Sequence, residues 1–151
     1  MPPSDTTDSE QGQRGPPTEP EVKDAHKFVT EDLDRSARWD TFSNRLPRVH
    51  ERLVQAAESG ENIEYGPLAD YADTDPRRYM SKLLDGIGYI ERQRNNPPLT
   101  VLAVHAGNGE PDDSFLDLLE GLGIRGHYSA IDEKAIEEAR REVFKKYGEA
   151  T

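Results

Sequence analysis

Cysteine is absent from all 151 residues. Its absence excludes disulfides, thiolate metal sites and cysteine nucleophiles together. No run reaches the roughly 18 consecutive apolar residues of a membrane-spanning helix, and no apolar signal core follows the N-terminus. A soluble, cytoplasmic protein with no membrane attachment is the expectation. Aromatic residues are sparse, with Trp39 the one tryptophan, and hydrophobic residues reach 33%, enough for a small core only. Positive charge is scarce too: nineteen Lys and Arg face thirty Asp and Glu, a net charge of −11. The four histidines (His26, His50, His105 and His127) show no paired spacing on one element, so no metal site is expected. No nucleophile–base pair, glycine-rich phosphate cradle or ligand cluster is visible, and neither enzymatic activity nor a cofactor is expected.

What is present is an uneven distribution of charge. Residues 76–94 hold five basic groups (Arg77, Arg78, Lys82, Arg92 and Arg94) against two acidic ones (Asp85 and Glu91). This is a basic island in an acidic chain. Acid excess with arginine ahead of lysine fits a salt-adapted cytoplasm, in a prokaryote or its virus. An acidic protein of ordinary salinity is the alternative.

In chain order, residues 1–24 are rich in Pro, Gly, Ser, Thr, Asp and Glu and read as a disordered acidic tail. Residues 25–38, with Phe28, Val29 and Leu33, read as a marginal linker or short helix. A domain over 39–125 starts with Trp39 and Phe42 as core anchors. Leu46, Val49, Leu53, Val54 and Ala57 make its first helix, with Pro47 near the start and Gly60 past the end. Pro67, Leu68, Ala69 and Tyr71 suit a short second helix. Asp75 caps a longer third helix and Pro76 occupies its first turn. Tyr79, Met80, Leu83, Leu84, Ile87 and Ile90 form its apolar stripe, and Gly86 and Gly88 are points where it frays or bends. Asn95, Asn96, Pro97 and Pro98 stop that helix. Residues 99–105 read as a buried strand and 106–111 as a wing or hairpin tip. A short helix over 113–120 ends at Gly121 and Gly123. Within residues 126–151 a final helix covers 131–147, capped by Asp132, with Ile136, Ala139, Val143 and Tyr147 on one face. The fold class is mainly α with a small β wing: a winged helix-turn-helix core, an additional C-terminal helix and a disordered N-terminal tail.

Three pieces of this domain carry a resemblance. They are Tyr65, Gly66, Pro67, Leu68 and Ala69; Arg77 at the start of the third helix; and the run from Pro97 through Pro98, Leu99 and Thr100 to Val104. Together they resemble the helix-turn-helix domain of O6-alkylguanine-DNA alkyltransferases and alkyltransferase-like proteins, and similar small prokaryotic proteins. The resemblance implies that Tyr65 helps rotate a nucleotide out of the duplex and that Arg77 fills the vacated space. It does not extend to alkyl transfer, because Pro98, Leu99 and Thr100 stand near the family's Pro-Cys-His-Arg site and no cysteine exists to accept an alkyl group.

Arg77, Arg78, Ser81 and Lys82 are candidates for base edges and phosphates, since a helix in the major groove reads bases through its N-terminal residues. Arg92 and Arg94 are candidates for backbone phosphates, and Asn108 for the minor groove from the wing tip. A solvated helix face, helix-end cations, a plain turn and a core tyrosine are the competing readings of these positions and of Tyr65. The expected function is a non-enzymatic winged-helix protein that binds double-stranded DNA. The alternative is a winged-helix interaction module that holds a protein partner through its apolar surface or its acidic tail.

Overall fold

Thr18 begins the first helix, inside the segment expected to be disordered. Its hydroxyl accepts the Glu21 amide at 3.3 Å, and the Glu21 carboxylate accepts the Thr18 amide at 2.9 Å. This reciprocal cap, with Pro20 in the first turn, starts α1 (Glu19–Lys27). Val22, Ala25, Phe28 and Val29 follow at helical spacing and are all buried. The helix runs on into a π-helical turn, Phe28–Asp32. The helix therefore starts inside the segment read as a tail, and the segment 25–38, read as a marginal linker or short helix, is helical as far as Asp32; a short apolar stripe was hidden by the polar composition around it. The computed structural model describes residues 15–75, 78–107, 109–111, 115 and 133–148, without the side chains of Arg78 and Glu133. Residues 1–14 of the expected tail lie outside these.

The second helix, α2 (Trp39–Ser59), takes Trp39 and Phe42 into its first turns and starts well before Leu46. Pro47 is consequently interior and offers no amide to the Ser43 carbonyl. Gly60 closes the helix in a left-handed conformation (φ 71°) with its amide on Ala56 and Ala57. A two-residue strand, β1 (Ile63–Glu64), leads directly into α3 (Tyr65–Ala72). Asp73 (φ 56°) turns the chain out of α3, and the Thr74 amide bonds the Ala69 carbonyl at 3.0 Å.

The next helix, α4 (Arg78–Gln93), passes unbroken through Gly86 and Gly88, where fraying was expected. The reason is packing. A Cβ on Gly86 would lie 2.7 Å from Phe42 Cζ and 3.0 Å from Leu46 Cδ1, so the missing side chain lets α2 and α4 approach closely. After α4, Asn95 takes a left-handed φ of 61° and the Asn96 amide reaches back to Glu91 at 2.8 Å.

Residues 99–105 are not a continuous strand. Leu99–Leu102 form a 3₁₀ helix, all four side chains buried, and only β2 (Ala103–Val104) is extended. Pro97 and Pro98 supply no ladder amides, and the Val101 amide closes the 3₁₀ turn on Pro98 at 3.1 Å. β2 pairs parallel with β1, Ile63 opposite Ala103 and Glu64 opposite Val104. Parallel neighbours need a crossover, and α3, α4 and the 3₁₀ helix supply it. A hairpin wing is antiparallel, so this ladder is not one. Beyond β2 the chain doubles back: the His105 amide bonds Glu110 O at 2.8 Å and the Gly109 amide bonds His105 O at 3.0 Å.

The last described helix, α5 (Glu133–Gly148), buries Ile136, Ala139, Val143 and Tyr147. One cluster of buried side chains runs from Val22 to Tyr147, so α1 and α5 share the core with α2 and α4. The architecture is mainly helical with a two-stranded parallel sheet. Among the described residues no helix is long and apolar enough to cross a membrane. The short helix expected over 113–120, its Gly121 and Gly123 stop and the Asp132 cap lie outside the described residues, except Phe115, which is helical and buried.

Candidate nucleic-acid interface

The two halves of α4 differ. In its N-terminal half the Tyr79 ring is partly buried, and its hydroxyl donates to the Arg38 carbonyl at 3.2 Å. Lys82 Nζ lies 5.4 Å from the centre of that ring, a cation–π distance. Burial pushes the Tyr79 phenol up, while the positive charges of Arg38 and Arg45 pull it the other way. Lys82 is thus the cation seated on this ring, while Arg38 and Arg45 act on its hydroxyl through their charge. Ser81, also half-buried, accepts a hydrogen bond from Arg35 Nη2 at 2.7 Å, and Arg35 Nη1 donates to Asp85 at 2.5 Å. Arg35 therefore partly covers the side of α4 that carries Ser81 and Asp85. Arg77 and Asn108, and the side chain of Arg78, lie outside the described residues.

From residue 83 to 88 every position of α4 is buried. The helix packs against α1, α2, the π-helical turn and the 3₁₀ helix. Over this stretch the helix has no open face, whereas Ser81 and Lys82 before it and Tyr89, Arg92 and Gln93 after it are not buried. Arg92 is half-buried and is not a free cation. Arg94 is buried: Nε and Nη2 donate to the two Glu21 oxygens at 2.6 and 2.7 Å, and Nη1 to the Gly15 carbonyl at 2.9 Å. Burial opposes the guanidinium charge, but Glu21 and Glu91 outweigh it and hold the group protonated. Arg94 was expected to meet phosphate. Its partners instead come from α1 and the residues just before it, where the polar composition points to a tail. Arg94 is therefore withdrawn from the candidate interface.

Next to Arg94 is a polar network sealed in the core. Glu91 accepts from the Tyr147 hydroxyl of α5 and lies 3.3 Å from His50 Nε2 of α2. Asn96 Nδ2 bonds the same hydroxyl at 3.4 Å. Burial, and then the Glu91 charge, push the Tyr147 phenol far above its ordinary range, so it remains a donor. His50, Glu91 and Tyr147 are all buried. The network joins helices; among the described residues no group of His, Asp or Glu has the arrangement to hold a metal.

Tyr65 opens α3 half-buried, with its ring edge-to-face against His105 at 4.9 Å and 69°. It braces the base of the 105–110 turn. On the other side, Arg140 Nη2 of α5 donates to the Gly109 carbonyl at 2.7 Å. The structure therefore brings Tyr65 to His105, where the chain doubles back to Glu110.

Sequence reasoning passed over the arginines of α2. Arg45, Arg48 and Arg52 recur at spacings of three and four, which place them along one side of a helix, and Arg38 sits at its cap. That spacing was visible in the sequence. Arg45 is tied to Asp73, through Nε to its carbonyl at 2.8 Å. Arg48 is exposed and Arg52 half-exposed, and neither forms an ion pair or hydrogen bond among the described residues. Beside them Tyr71 is 42% exposed, and its hydroxyl donates to Glu51. No family model, curated protein or solved structure matches the chain.

Proposed function

We propose that the chain is a non-enzymatic DNA-binding protein that meets duplex DNA where the start of α2 adjoins the N-terminal half of α4. On this reading α3 and α4 are a helix-turn-helix pair and the 105–110 turn serves as its wing. The acid-rich remainder is a solvation device suited to a salt-rich cytoplasm. The observation that carries the reading is Lys82 seated on the Tyr79 ring, with the charges of Arg38 and Arg45 acting on the same side chain's hydroxyl, in a chain whose net charge is −11. Clustered cations within an acidic body create a local attraction for phosphate that the overall charge does not reveal. The test is the affinity for labelled duplex after Arg77→Ala with Arg78→Ala, and separately after Lys82→Ala. Each is expected to weaken binding at least several-fold at low salt. Unchanged affinity in both proteins disposes of this docking surface.

A second reading has its own support. The enclosure of α4 over residues 83–88 and the exposed ring of Tyr71 suit a helical module that holds a protein partner. A stoichiometric protein and no nucleic acid after purification at working salt favours that module.

A further inference from the structure

We infer that Arg94 is a two-position latch coupling α1 to α5: Glu21 holds it while α1 is docked, and Glu91 takes it, at the expense of α5, once that carboxylate is withdrawn. The latch is independent of what the chain binds. The two helices pack chiefly on different partners, α1 against α4, α2 and the π-helical turn, and α5 against α2 and the 3₁₀ helix. A run of polar side chains nevertheless joins them through the end of α4. Glu21 of α1 takes Arg94 with both oxygens, and Glu91, three residues before Arg94, accepts from the Tyr147 hydroxyl of α5. Arg94 Nη1 stands 3.8 Å from Glu91 Oε2, too far for a hydrogen bond. The Glu91 oxygens serve Tyr147 and face His50 Nε2 at 3.3 Å instead.

The second position follows from burial and spacing. Arg94, Glu91, His50 and Tyr147 are all buried, where an ion deprived of its partner is costly. A guanidinium that loses Glu21 therefore turns to the carboxylate already within reach. The Arg94 amide bonds the Ile90 carbonyl at 3.0 Å, so Glu91 and Arg94 share helical backbone, on which side chains three apart are neighbours. A guanidinium fork laid on Glu91 competes for the oxygens that Tyr147 and His50 use. The Tyr147 hydroxyl then counts for less, and α5 is held more loosely. Glu21 thus does more than fasten α1: by keeping Arg94 off Glu91 it leaves Glu91 to α5. An element with two arrangements, biased from both sides, is what couples separate parts of a fold.

The experiment measures folding constants of the full chain by denaturant titration at neutral pH, for the unaltered protein, Glu21→Gln, Tyr147→Phe and the two combined. The same four are made with Arg94→Met. Glutamine withdraws the charge but can still close the reciprocal cap with Thr18, and the buried stripe from Val22 to Val29 keeps α1 on the core. In the unaltered background Tyr147→Phe leaves a buried carboxylate oxygen without its donor and should lower the folding constant about fivefold or more. With Glu21→Gln present, the loss on Tyr147→Phe should shrink by more than about twofold, the margin within which independent sites add. The Asn96 bond to the same hydroxyl is lost in both backgrounds and cancels. With Arg94→Met the difference should vanish. Amide exchange gives a reading from Glu21→Gln alone, which decides even where Arg94→Met does not fold. The amides of residues 143–148 in α5 should quicken by more than about twofold relative to residues 49–53 in α2, as for a local opening. Losses on Tyr147→Phe that agree within about twofold, or a difference that survives Arg94→Met, overturn the latch. Exchange that quickens equally in α2 and α5 overturns it as well.

Discussion

Arg94, at the end of α4, and Arg48, on the outside of α2, are the same residue type in opposite situations. Arg94 is buried, with both Glu21 oxygens and two backbone carbonyls around its guanidinium. Arg48 is exposed and has no partner among the described residues. Their surroundings teach that residue type and local sequence charge do not decide what a cation does. Carboxylates brought from distant segments decide it. The C-terminal end of α4 uses its charges to fasten α1 and α5 to the core, while the outer side of α2 leaves its charges to the solvent. Changes at the first region should therefore cost stability, and changes at the second should cost none.

The largest effect is expected at the hub of the first region. Replacing Glu91 by Ala leaves His50 and the Tyr147 hydroxyl without their shared acceptor and removes one of the two carboxylates near Arg94. Removing one partner of a buried charged pair costs roughly 3–5 kcal/mol, read as a lower urea midpoint. A loss within about 0.5 kcal/mol, the range of ordinary surface changes, would show that the network is incidental. Gly86→Ala comes next. Its new methyl meets the fully buried Phe42 ring, and overpacking of this kind costs about 1–3 kcal/mol. The better helix propensity of alanine returns no more than about 1 kcal/mol. A net loss is expected, and a gain in thermal midpoint would mean that α2 and α4 separate without strain.

These two sites also show what the sequence disclosed. The stripe Tyr79, Met80, Leu83, Leu84, Ile87 and Ile90 is legible because apolar residues at a 3.6-residue period can only line one side of a helix. The burial of Asp85, Gly86, Gly88 and Glu91 on the other side is not legible, because those residues are small or charged. Their partners Arg35, Phe42, Leu46, His50 and Tyr147 lie far away in the chain. Helix α1 falls between these cases. Thr18 and Glu21 spell a capping box, and Val22, Ala25 and Val29 a short stripe, but the composition of a long polar segment outweighed them. The candidate site divides in the same way. Lys82 lies against the Tyr79 ring, Arg94 is held by Glu21, and the Arg45, Arg48 and Arg52 spacing was readable yet eclipsed by the denser charge around residue 77.

A smaller effect concerns pH. Burial alone would push the Glu21 carboxyl up, but bonds from Arg94 and Thr18 overcome it and hold the carboxyl below its ordinary range. A carboxyl lowered by folding stabilises the protein above its unfolded pKa, and that contribution is lost as pH falls through the folded value. The thermal midpoint of the unaltered protein should therefore drop as pH falls from about 5 towards 3, beginning near the unfolded Glu value of about 4.3. Glu21→Gln should start lower at neutral pH and respond less to acid. Parallel curves for the two proteins would mean that Glu21 contributes nothing to the acid response and that Arg94 is held by other groups.

The smallest stability effect belongs to the second region, and it is the most discriminating. Arg48→Ala with Arg52→Ala removes two cations that hold no carboxylate among the described residues, so the unfolding midpoint should move by no more than about 0.5 kcal/mol, as for surface sites away from caps and networks. Alanine's helix propensity exceeds arginine's only slightly, and the loss of two positive charges from an acidic body adds a weak, screened repulsion of opposite sign. A larger loss in denaturant titration would reveal carboxylate partners for these arginines and erase the contrast with Arg94. If stability holds while affinity for duplex falls, the exposed side of α2 contributes to binding and not to the maintenance of the fold.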